Sequence, residues 1–215
     1  MTCTGDGQTL VTTGWDQTVK MWDTGTLKQQ FVLPNGPSAQ RWPSSADTTS
    51  QDIRPESRKE LACTALVFSP DDKTLAVGNE EGMTRLYDRG TRELVVAIEG
   101  RVPLFALAWS PDGQLLATGH ADGTIRLHEG TTSQTTLHGH TWTIYSLAFT
   151  PDSRTLISGG ADGTVRLWDV AGKRERRCYR WHTSWVTCVS VAPDGMTAAA
   201  GSADRTIVIW DLDDR

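Results

Sequence analysis

Apolar and β-branched residues fall in short runs along nearly the whole chain, separated by turns rich in Gly, Asp and Pro. Around residue 160 the pattern is clearest: Ile144 to Phe149, Thr155 to Ser158, Thr164 to Trp168 and Arg174 to Tyr179 read as four successive strands. Thr150-Pro151-Asp152-Ser153 closes the first hairpin, because Pro fixes φ and Asp bonds its own backbone. Asp162-Gly163 closes the second and suits a two-residue turn that needs positive φ. Similar turns stand at Pro111-Asp112-Gly113, Asp122-Gly123 and Pro193-Asp194-Gly195.

The stretch from Gly160 to Asp169, GADGTVRLWD, recurs as GWDQTVKMWD from Gly14, NEEGMTRLYD from Asn79, HADGTIRLHE from His120 and SADRTIVIWD from Ser202. The ring near the end of each copy is Trp22, Tyr87, His128, Trp168 or Trp210, in steps of 65, 41, 40 and 42 residues. A four-stranded sheet that is apolar on both faces cannot bury them alone, so successive sheets are expected to stack about an axis. The expected units are 1–33 without a first strand beyond a remnant at Met1 to Cys3, 61–99, 100–139, 140–180, and 181–215 without a last strand, giving strand counts of 3, 4, 4, 4 and 3. Residues 34–60, rich in Pro, Ser, Thr, Asp and Gln and carrying Trp42, read as a mobile insertion. The two incomplete ends suggest part of a longer ring of seven such units, with a ring completed by self-association as the alternative.

A GH pair before the first strand, SPDG-like turns and a closing WD together resemble the WD-repeat β-propellers, over nearly the whole chain except Pro34 to Glu60. The regular SPDG-type repeats are similar to bacterial multidomain members. The resemblance implies an all-β chain of four-stranded antiparallel blades, about five of them visible, the first and last incomplete. It also implies that a His, a Ser or Thr, an Asp and a Trp brace each blade. The fourth repeat matches with His140, Ser158, Asp162 and Trp168. The fifth keeps His182, Asp204 and Trp210, with Ala200 at the hydroxyl position. The third keeps Thr118 and Asp122, with Gly100 at the His position and His128 at the Trp position. The first keeps Thr12, Asp16 and Trp22, and the second has Lys59, Val77, Glu81 and Tyr87. On this count the second and third blades are the soft ones.

Composition narrows the chemistry. A net charge of -5 and a pI near 5.5 disfavour nucleic acid and anionic membranes as main partners. Cys3, Cys63, Cys178 and Cys188 have no metal-site spacing, no apolar run reaches the roughly 20 residues of a membrane span, and Met1 to Leu10 does not resemble a signal peptide. A cytoplasmic location is expected. His138 and His140 are two apart without a nearby carboxylate or thiol, and neither a nucleophile motif nor a phosphate-binding Gly loop is present, so no metal, cofactor or catalytic residue is assigned.

Among nine tryptophans, Trp15, Trp142 and Trp185 are not accounted for by strands and fall in the loops at the Asp-Gly end of the sheets, the upper face. With Phe105 and Tyr145 they form a candidate docking site for a peptide or protein. Lys173, Arg174, Arg176, Arg177 and Arg180 make one basic cluster on the outermost strand of the fourth repeat. There, protection of the edge competes with docking of an acidic or phosphorylated partner or of nucleic acid. The expected function is a non-catalytic protein-interaction scaffold. The alternative is a regulatory or substrate-docking part of a larger kinase, NTPase or protease.

Overall fold

The computed structural model describes residues 1–13, 18–34, 62–130 and 133–212, and among these there are nineteen strands and no helix. Sheet one comprises β1 (Thr2–Cys3), β2 (Thr9–Thr13), β3 (Thr18–Asp23) and β4 (Gln29–Pro34). Sheet two comprises β5 (Cys63–Phe68), β6 (Thr74–Asn79), β7 (Thr84–Asp88) and β8 (Leu94–Ile98). In sheet three are β9 (Leu104–Trp109), β10 (Leu115–His120), β11 (Ile125–Glu129) and β12 (Ser133–Leu137). Sheet four follows with β13 (Ile144–Phe149), β14 (Thr155–Gly160), β15 (Val165–Asp169) and β16 (Arg174–Tyr179). Sheet five has β17 (Val186–Val191), β18 (Thr197–Ser202) and β19 (Ile207–Asp211). Neighbouring strands are consecutive in sequence and antiparallel, so every sheet is a meander.

Sheet one has four strands rather than the three counted, because the remnant at Met1 to Cys3 does pair as a first strand: Thr2 pairs with Val11 and Cys3 with Leu10. The cause is the turn that follows. Thr4 donates its hydroxyl to Asp6 at 2.6 Å, Asp6 accepts the Gln8 amide, and Thr9 N–H bonds back to Thr4 Oγ1. The same lattice closes the first hairpin at Ser69 and Asp71, Ser110 and Asp112, and Thr150 and Asp152. The hydroxyl bond, aided by a backbone N–H, holds Asp6, Asp71, Asp112 and Asp152 below the ordinary carboxylate range.

The upper turn also departs from expectation. Gly163 N–H bonds to the Gly160 carbonyl at 3.1 Å and Gly160 N–H to the Thr164 carbonyl at 3.2 Å, with positive φ at Gly163 (+74°) and not at Asp162. It is a longer turn ending in one left-handed residue, which leaves the Asp162 side chain free to serve as an acceptor.

The chain divides into two compact units, Met1–Arg101 with sheets one and two and Val102–Arg215 with sheets three to five. In the first unit the core joins Val11, Val19 and Met21 to Leu66, Phe68, Leu75 and Tyr87. In the second, Ile125 and Leu127 of sheet three pack on Ile144, Leu147, Leu156 and Trp168 of sheet four. Ile157, Val165 and Leu167 of sheet four then pack on Val186, Val189, Ala198 and Ala200 of sheet five. Ala106, Ala108 and Ala117 on the covered face of sheet three let its neighbour approach closely. Each fully buried aliphatic side chain contributes roughly 1.5–3 kcal/mol relative to exposure, so these contacts hold successive sheets face to face. The insertion expected at 34–60, with Trp42 and Lys59, lies outside the described residues apart from Pro34 at the end of β4.

Candidate functional site: an upper-face groove between sheets four and five

The upper end of sheet four is built on a buried chain of hydrogen bonds. Trp168 Nε1 donates to Ser158 Oγ at 2.8 Å, and Ser158 Oγ lies 2.7 Å from His140 Nε2. His140 Nδ1 faces both oxygens of Asp162 at 3.0 Å, so its proton belongs there and Ser158 donates to Nε2. Asp162 also accepts the Thr141 and Thr164 amides and the Thr164 hydroxyl. Burial alone would raise its carboxyl, but bonding and attraction from His140 and the Thr164 bonds outweigh that and hold it well below the usual range. A Ser-His-Asp sequence of this kind has the order of an acyl-transfer triad. Ser158 is fully buried and its oxygen is already taken by the indole, so no substrate reaches it.

The other copies are variations on this chain. In sheet five His182 Nδ1 pairs with Asp204 at 3.1 Å and with Thr206 Oγ1 at 3.1 Å. With Ala200 where Ser158 stands, His182 Nε2 and Trp210 Nε1 are both buried without a hydrogen-bond partner. In sheet one Trp22 Nε1 donates to Thr12 Oγ1 at 2.9 Å, while Asp16 lies outside the described residues. Sheet two has Val77 and Tyr87 buried in its core, and Asn79 rather than Glu81 accepts the turn amides.

Sheet three corrects the expectation that Gly100 leaves its repeat without a bracing His beside Thr118. A Cβ at Gly100 would lie 2.1 Å from the Gly82 carbonyl oxygen, so no side chain fits at that position. His120, at the end of β10, supplies the ring instead: its Nε2 is 2.8 Å from Thr118 Oγ1 and its Nδ1 is 3.2 Å from the Val102 carbonyl. His128 Nε2 reaches the same hydroxyl at 3.2 Å. Asp122 bonds Thr124 rather than a His.

Directly over the Asp162 turn runs an open groove of about 430 Å³. Thr141 and Trp142 precede β13 on one side, Ala161 to Gly163 form the floor, and His182 to Trp185 precede β17 on the other. Gly163 is required here, since a Cβ would press on the His182 and Ser184 carbonyl oxygens at 3.2 and 3.3 Å in a backbone of positive φ. Trp142 is 61% exposed and Trp185 49% exposed. From Trp185 an aromatic ladder continues to Tyr145 (6.0 Å) and on to Phe105 (6.2 Å, edge to face). Four of the five aromatic residues expected at an upper docking site are therefore gathered in one unit, and Trp15 lies outside the described residues. The groove offers aromatic faces and the hydroxyls of Thr141, Thr183 and Ser184, a lining suited to stacking and hydrogen bonding.

Two neighbours were missed from sequence. Arg166 is buried, bonds Thr164 Oγ1 through Nε at 3.2 Å and pairs with Glu175, tying β16 to the Asp162 cluster. A long cation at this position in four of the five copies (Lys20, Arg85, Arg126, Arg166) was the available signal. Trp181 stacks on Tyr179 at 4.1 Å and lies 5.1 Å from Trp210, a contact no spacing rule announces. Among the described residues no three His, Cys, Asp or Glu side chains gather to hold a metal ion, and no helix is long and apolar enough to cross a membrane.

No curated protein matches the chain in sequence. Among solved structures, a chain in a crystal structure of the mitotic checkpoint complex is similar, with a TM-score of 0.79 at 21% identity over 98% of this chain and 61% of that chain. This chain thus spans less than two thirds of that neighbour's length, and the likeness carries the fold, an antiparallel all-β propeller. A family model described as WD domain, G-beta repeat matches residues 1–23, 57–88, 93–129, 131–169 and 173–211. With five matched stretches that each end in or beside the third strand of one sheet, the chain belongs to the WD-repeat family, whose members in general build protein-interaction scaffolds without chemistry of their own.

Proposed function

We propose that the chain is a protein-interaction platform that captures a peptide segment of a partner in the groove between Trp142 and Trp185. One observation carries the reading: two large aromatic side chains stand exposed on opposite walls of a hydroxyl-lined groove whose floor is fixed by a buried hydrogen-bond network. Aromatic anchors on a rigid support lose little conformational entropy on binding, which is why they dominate interface energetics. The neighbour in a mitotic checkpoint complex is itself part of a protein assembly, which is consistent with protein partners.

The test is a selection of peptides from a random library on the whole chain, followed by affinity measurement on Trp142→Ala and Trp185→Ala. Each variant should weaken the selected peptides about tenfold or more, as expected for loss of an anchor of 2 kcal/mol or so. Unchanged affinity in both would refute the assignment.

A further inference from the structure

Every complete sheet ends in an outer strand, and these strands differ sharply in charge. β4 reads QQFVLP, β8 LVVAI and β12 SQTTL, without a Lys or Arg inside the strand and with Lys28 alone directly beside one of them, whereas β16 reads RERRCY between Lys173 and Arg180. Cations on an edge strand can serve to block edge-to-edge pairing. That device is not used at β8, where Val95 is 62% exposed with no cation in the strand. The cluster on β16 therefore calls for a cause of its own.

Its geometry supplies one. The pairing of β15 with β16 shifts register between Leu167 and Trp168, so that Trp168 faces Glu175 while Leu167 faces Arg177 and Arg176 is the extra residue. In a regular strand consecutive side chains point to opposite faces. Here the bulge brings Arg176 and Arg177 to one cavity of about 40 Å³, floored by Thr150, Thr155 and Leu167. Arg176 Nη1 is held by Thr155 Oγ1 at 3.4 Å, a neutral partner, and Arg177 Nη1 lies 3.3 Å from the Tyr179 hydroxyl. Of the carboxylates nearest in sequence, Glu175 is engaged with Arg166, while Asp169 offsets Arg174 within the cluster at 3.7 Å. Lys173 and Arg180 form no ion pair among the described residues, and Trp181, 41% exposed on its Tyr179 support, follows Arg180 directly.

We propose that the β16 edge is a docking surface for an acidic peptide segment of a partner protein. Its carboxylates bridge the arginines at 174, 176 and 180, and an apolar side chain beside them rests on Trp181. Guanidinium groups favour carboxylates because their donors match the two oxygens in a fork. The small cavity admits a carboxylate but not a nucleobase, and the acidic remainder of the chain repels a long phosphate backbone. This surface shares no residue with the upper groove, so each stands or falls separately.

The measurement is fluorescence anisotropy of fluorescein-labelled octaglutamate titrated with the whole chain, with octalysine and an eight-nucleotide thymidylate as comparisons. Octaglutamate should bind and octalysine should not, and affinity should drop about tenfold between about 50 and 300 mM salt. The triple variant Arg174→Glu, Arg176→Glu, Arg180→Glu should lose about tenfold or more, and Arg180→Gln alone several-fold, while Arg205→Glu on the upper face stays within about twofold. Thermal melting of the variants verifies that the fold persists, and the single Gln variant decides the matter if the triple variant melts early. Retained octaglutamate binding in the variants, or tighter binding of thymidylate than of octaglutamate, would overturn the proposal.

Discussion

Ser158 and Ala200 stand at equivalent positions of consecutive sheets, and one oxygen atom decides whether two buried ring nitrogens are paired. In sheet four the hydroxyl joins Trp168 to His140; in sheet five its absence leaves Trp210 Nε1 and His182 Nε2 without partners. An unmade bond at a buried polar group costs about 1–3 kcal/mol. Ala200→Ser is therefore expected to stabilise the protein by about 1–2 kcal/mol, and Ser158→Ala to destabilise it by about 1–3 kcal/mol. Trp168→Ala removes a fully buried ring together with its bond and should cost roughly 3–5 kcal/mol. Urea unfolding of the three variants ranks them; a less stable Ala200→Ser protein would contradict the account of the orphaned pair.

At the level of the sheet, the third blade behaves differently from its neighbours because two imidazoles share one hydroxyl. His120 Nδ1 faces the Val102 carbonyl and so carries its proton there, leaving Nε2 to accept from Thr118, whose oxygen accepts in turn from His128. Burial lowers both histidines; the His120 and Arg126 charges lower His128 further, to about 4, while the Val102 bond and Asp122 partly oppose the shift at His120. The unfolded chain takes up protons at its ordinary His value near 6.5, where the folded sheet does not, so the stabilisation is complete above about pH 6.5 and declines as pH falls toward 4. For His128 the difference amounts to about 3 kcal/mol. Asp162 and Asp204 follow a different course: their depressed carboxyls stabilise the fold above about pH 4 and lose that effect only in stronger acid. Hydrogen exchange at pH 7 and pH 5, corrected for intrinsic rates, should show β10 and β11 losing protection before β14 and β15. Equal loss in both sheets would contradict it.

The same sheet shows where sequence reading stops. Repeated Asp-Gly turns, hydroxyl-x-Asp turns and the closing ring made the blades legible, because local turn chemistry and a period near forty residues point the same way, whereas the His140 network was implied only by the resemblance to WD repeats. His120 was not legible: it comes from the end of β10, and only the close approach of Gly82 to Gly100 explains why the usual position is blocked. β1 was placed within Met1 to Cys3 but not counted as a strand, because two residues are too short to show a pattern. The partnership of Trp142 with Trp185 was suggested by loop position, but the groove between them depends on how two sheets pack.

On the scale of the whole molecule, buried networks and surface sites are segregated. The second unit carries its His, Asp, Ser and Trp chains inside the blades, an aromatic groove on its upper face and a basic strip on one outer strand, in a chain whose net charge is -5. A platform of this kind holds its partners by surface chemistry while its interior sets the geometry of the loops. The direct test is to follow the indole Nε1–H resonances of the nine tryptophans, assigned by single Trp→Phe changes, while a library-selected peptide is titrated in. Trp142 and Trp185 are predicted to shift first and most, with Trp168 and Trp210 still; shifts confined to other indoles, with Trp142 and Trp185 unmoved, would contradict the proposed groove.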